Sequence, residues 1–108
     1  MTKIIKGVDD IIYRLVIRDK EDNEFLISEF QSVQVWVFTD NVTNAVEIES
    51  EYINSVDNLI HIQADKMTTL NDGVVRLKVL FKLPYNDYPD HTLDQSIITD
   101  TCYYLKTI

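Results

Sequence analysis

Bond-making chemistry in this chain would have to come from two histidines, one cysteine and scattered carboxylates. His61 lies between Ile60 and Ile62, an alternating apolar setting that suits a strand, and His91 falls in an Asp-rich stretch. The chain holds neither a Gly-x-Ser-x-Gly elbow for a nucleophilic serine nor a His-Glu-x-x-His zinc helix. Its only glycines are Gly7 and Gly73, too few to line a phosphate cradle. The residues therefore read as a non-enzyme, with no catalytic residue and no cofactor expected.

Asp87, Asp90, His91 and Asp94 lie close enough in sequence to offer ligands to calcium, and Asp19-Lys20-Glu21-Asp22-Asn23 is a second acidic run. Neither has the ordered spacing of an EF-hand loop, and Glu24 stands where the second would need its turn residue. Both read as solvated loops, so no metal is expected. Cys102 sits in an apolar run beside Tyr103 and Tyr104, which predicts a small buried hydrophobe rather than a reactive thiol. A lone cysteine permits no disulfide within the chain and fits a reducing compartment. Glu47, Glu49 and Glu51, spaced by two, should share one strand face, as a charged outer edge that resists aggregation or a stripe for a basic partner. Asn41-Val42-Thr43 spells a glycosylation acceptor, without weight in the absence of a secretory signal.

The elements that would carry these residues are strands. From Gly73 to Leu83, Val75, Leu77, Val79, Phe81 and Leu83 fall on one side, and Arg76, Lys78 and Lys82 on the other. That period of two defines a long strand with one buried face. Ile11, Tyr13, Leu15 and Ile17 repeat the pattern, followed by a polar turn over 19–24. Shorter extended pieces are predicted over 25–27, 33–39, 45–49 and 58–63. Asp65 is placed to cap one helical turn over 66–70, Asn71-Asp72-Gly73 makes a turn, Pro84 ends the long strand, 85–96 is a loop, and 97–105 supplies the last strand. About seven strands, one short helical turn and no repeat predict an all-β fold: a single immunoglobulin-like antiparallel β-sandwich domain over 1–108, with an open barrel as the structural alternative.

Bulk properties narrow the partners. A chain of 108 residues is one domain, burying roughly 65% of its unfolded surface. Its net charge of −8 would repel phosphate backbones, so nucleic acid is not an expected partner. The apolar runs are too short to span a bilayer, and the start lacks the long apolar stretch of a secretory signal; residence in a cytoplasm, or in a particle assembled there, is expected.

Val33-Gln34-Val35-Trp36-Val37-Phe38 places valines on one side and aromatics on the other. A sandwich strand needs one such side for its own core. If the valines face inward, Trp36 and Phe38 form an external apolar patch of the kind that marks a partner surface; if the aromatics do, the valines are surplus. Tyr103 and Tyr104, as strand neighbours, point opposite ways and pose the same choice. These four are the candidate interface residues.

The order of segments carries a resemblance. Ile12 to Ile17, Asp19 to Asn23 and Val33 to Thr39 form its first half; Ile60 to Met67, Leu70 to Val79 and Tyr103-Tyr104-Leu105 form its second. The pattern, with its Leu-x-x-Gly turn, resembles β-sandwich modules of tailed-bacteriophage virions. These include the amino-terminal domains of baseplate upper-fibre proteins and the head-fibre or capsid-accessory proteins of crAss-like phages. The resemblance implies a structural role in a virion assembled in the host cytoplasm, as a homo-oligomer in contact with other capsid or tail proteins. With no shaft or tip following Ile108, it favours a head-surface part. A carbohydrate- or receptor-binding sandwich of a tail or baseplate is the alternative.

Overall fold

The computed structural model describes residues 1–18, 21–30, 32–84 and 92–108. Its ten strands are β1 (Thr2–Ile5), β2 (Ile11–Arg14), β3 (Ile17–Arg18), β4 (Glu24–Phe25), β5 (Ser32–Phe38), β6 (Val46–Ile48), β7 (Ile53–Asn54), β8 (Leu59–Ile62), β9 (Gly73–Pro84) and β10 (Thr92–Lys106). They form a five-stranded sheet of order β1-β10-β9-β5-β6, a three-stranded sheet β2-β8-β7 and the pair β3-β4. The result is an all-β sandwich. β2, β8 and β7 take the places of strands B, E and D of an immunoglobulin sandwich, and β6, β5, β9 and β10 those of C′, C, F and G.

The alternation sets the inward faces. Val75, Leu77 and Val79 are fully buried and Phe81 nearly so, opposite Val35 and Val37 of β5. Ile11, Ile60 and Ile62 from the smaller sheet enter the same core, together with Leu15, Met67 and Leu105. At one end Phe30 stacks obliquely on Phe81, ring centroids 4.7 Å apart, and Phe25 packs on Phe30 at 6.0 Å.

Several elements differ from the sequence reading, each for a physical reason. β1 pairs with β10 in parallel, Thr2 opposite Tyr103, so the sandwich is not wholly antiparallel. This is a pairing between distant segments that no local pattern announces. β10 begins at Thr92, because residues 92–96 pair with 80–84 instead of looping. Asp65 does not cap the helical turn, which spans Ala64–Met67; Asp10, brought alongside by β2, accepts from the Ala64 amide at 2.7 Å. The glutamate stripe is broken: a 3-10 turn at Ser50–Tyr52 ends the alternation after Glu47. Glu49 instead pairs with Lys66.

Cys102 is exposed rather than buried. Between Asp100 and Tyr104, β10 carries two residues more than β9, and Cys102 takes φ +64° at this bulge. The Asp100 carboxylate accepts from the Cys102 amide at 2.7 Å, and the buried Thr101 hydroxyl donates to the Val75 carbonyl at 2.7 Å. With the Tyr103 amide donating to the Thr101 hydroxyl at 3.3 Å, these bonds take up backbone groups that the bulge removes from the ladder.

Candidate functional site

In a sandwich the inner sheet faces are spent on the core, leaving two outer faces. They are called here the front, on the five-stranded sheet, and the back, on the three-stranded one.

The valines of β5 point inward, Val35 and Val37 with no exposed surface, so Trp36 lies on the front, partly exposed. Its neighbours follow from register: Glu47 on β6, Lys78 on β9, and Ile98 on β10 beyond Lys78. The Lys78 ammonium lies over the Trp36 ring, 5.4 Å from its centroid, a cation–π contact. Ile98 is 62% exposed. Leu80 lies one row away, between Gln34 and Ser96. Phe38 is only 5% exposed, so in the single chain it offers little surface; it lies outside the main core cluster. Tyr103 turns inward and packs against the core, whereas Tyr104 is aligned with Val74 and Lys3 on the front. Of the four candidates, Trp36 and Tyr104 thus share an accessible face, and Phe38 and Tyr103 do not join them.

The front is also where cations gather. Lys3, Arg76, Lys78, Lys82 and Lys106 occupy front register positions, against Glu47, Asp94 and Asp100. Five of the ten Lys and Arg lie here with three of the eighteen Asp and Glu, leaving five cations and fifteen acids for the rest of the chain. A net-positive face thus sits on a strongly acidic protein.

The strands of the back carry Arg14 and no carboxylate in outward register, and its acids, Glu51, Asp10 and Glu24, stand beside them. Ile12, Glu51, Tyr52, Asn54, Leu59 and His61 line a shallow groove on this face. Ile12 is 56% exposed, and the Tyr52 and His61 rings meet edge to face at 5.8 Å. Arg14 is bound to Glu24 at 2.6 Å, and His61 Nε2 lies 2.8 Å from Asp10 Oδ2. The His61 hydrogen bond, with that from the Ala64 amide, holds the Asp10 carboxyl below its usual range. Glu51 makes no ion pair among the described residues.

Sequence reasoning missed Ile98 and Ile12. The signal was available in apolar doublets: Ile11-Ile12 and Ile97-Ile98, like Tyr103-Tyr104, put adjacent apolar residues into strands, and one of each must face outward. Asp87, Asp90 and His91 of the calcium reading lie outside the described residues. Among the described ones no group of three His, Cys, Asp or Glu is placed to hold a metal ion, and no helix is long and apolar enough to cross a membrane.

No family model, curated protein or solved structure matches this chain.

Proposed function

We propose that this protein is a structural subunit of a tailed-bacteriophage virion, a head-fibre or capsid-accessory part that assembles through its sheet faces with copies of itself and with other virion proteins. The virion class rests on the resemblance in segment order. The mode of assembly rests on one observation: Trp36, Lys78 and Ile98 form a continuous cross-strand row on an open sheet face, with Leu80 and Tyr104 in nearby rows. Apolar groups gathered on an exposed face are stabilised by a partner that removes them from water, at about 25 cal/mol per Å² of apolar surface covered.

A second reading has its own support. A partly exposed Trp36 on an open sheet face offers aromatic surface to a sugar ring, as a carbohydrate-binding module would use.

Size-exclusion chromatography with light scattering tests the first against the second. The expected result is a mass that is a multiple of the 12.6 kDa chain. A strict monomer at about 100 µM, a concentration that would populate any contact of micromolar affinity, that binds glycans on an array would establish the carbohydrate reading instead. Labelling of intact phage particles for electron microscopy locates the protein; its absence from every particle of the phage encoding it would end the virion reading.

A further inference from the structure

We infer that assembly is head to tail, the front of one copy seated on the back of the next. This rests on the proposal that sheet faces are the contact, and adds which face meets which. The two faces lie on opposite sides of one core and are complementary in two respects. Each has an apolar centre, Trp36 with Ile98 and Leu80 on the front, and Ile12 with Tyr52 and Leu59 on the back. Their charges differ: the front is net positive, whereas Glu51 lines the back groove and Asp10, Glu24 and Asp22 lie beside it, against Arg14 and Arg18.

A front-to-front contact would bring Arg76 and Lys78 toward their own copies, and a back-to-back contact would do the same to Glu51. Like charges brought together at an interface oppose association, so a symmetric contact is disfavoured on either face. Joining front to back sets Arg76 and Lys78 against the acidic rim, and leaves each copy with one used and one free face. Such a contact repeats, closing as a ring or continuing as a filament.

The test uses two surface variants. Arg76→Glu with Lys78→Glu reverses the front and leaves the back intact. Ile12→Glu puts a charge into the back groove and leaves the front intact. Circular dichroism and melting temperature first establish that both are folded. Each alone should self-associate at least about tenfold more weakly than the wild type. Mixed in equal amounts, they should form a one-to-one dimer and nothing larger, because the intact back of the first fits the intact front of the second. If the wild type assembles but either variant assembles equally well, or the mixture stays monomeric, the head-to-tail contact is wrong while assembly through some other surface stands. A wild type that is monomeric throughout removes self-assembly and this inference together.

Discussion

The Asn58 side-chain oxygen accepts a hydrogen bond from the Ile27 amide at 2.7 Å, joining segments 31 residues apart in sequence. The Asn58 amide nitrogen donates to the carbonyls of Phe25 at 2.8 Å and Leu15 at 3.3 Å, and the Leu15 amide donates to the Asn58 carbonyl at 2.8 Å. Asn58 has no exposed surface and takes φ +55°, a left-handed conformation that asparagine tolerates better than most residues. One side chain thus fixes the exit of β2, the end of β4 and the 3-10 turn at Ile27–Glu29. Asn58→Ala should cost about 2–4 kcal/mol, since it strands buried backbone groups and adds strain. Asn58→Gly removes the strain but not the stranded groups, and should recover only part of the loss. Urea unfolding of the two variants separates the contributions.

Cys102 offers a second conformational test. An L-residue in the left-handed region costs roughly 1–2 kcal/mol, and a β-branched one more. Cys102→Gly should match or exceed wild-type stability by up to about 1 kcal/mol, and Cys102→Val should fall below it. Because the thiol is exposed, native protein should be modified stoichiometrically by a thiol reagent without denaturant. Protection until unfolding would contradict the bulge.

Inner and outer faces should respond differently to charge. Val79 is fully buried between Val35 and Ile97, so Val79→Asp places a carboxylate in the core and should abolish cooperative folding. Trp36→Ala and Ile98→Lys lie on the front and should shift stability by less than about 1 kcal/mol. A soluble, cooperatively folding V79D protein would show the inward face to be misassigned.

Acid should loosen the junction of β1 and β10. The Asp72 carboxylate accepts from the Thr107 hydroxyl at 2.6 Å and the Thr107 amide at 3.0 Å, and pairs with Lys6 at 3.0 Å. These contacts, the Thr107 hydroxyl first, lower its pKa from 3.8 to about 2. The folded value is the lower one, so its contribution is complete above about pH 4 and disappears as pH falls towards about 2. The melting temperatures of wild type and Asp72→Asn should therefore differ at pH 7 and converge across that window. A difference unchanged down to about pH 2 would mean that the carboxylate charge contributes nothing.

Much of the fold was legible because alternation is local. The inward series Val75, Leu77, Val79 and Phe81 is written residue by residue and occurs as read; Ile11, Leu15 and Ile17 are buried as read, but the single strand expected over 11–18 is split into β2 and β3 of different sheets. What was not legible depends on distant neighbours. The pairing of β1 with β10, the capping of Ala64 by Asp10 and the exposure of Cys102 each follow from segments meeting after folding. The candidate site was half legible: the strand carrying Trp36 was recognised, but its orientation needed the core to choose between valine and indole. Glu51 left its expected stripe because three residues coiled into a 3-10 turn, a departure invisible to counting by twos.

The parallel partnership of Thr2–Ile5 with Tyr103–Lys106 also has a consequence in time. During synthesis β1 emerges well before its ladder partner β10, so the five-stranded sheet cannot close until β10 has left the ribosome. Until then the β10 side of β9 is an open edge, and a nascent chain is most vulnerable to mispairing in that interval.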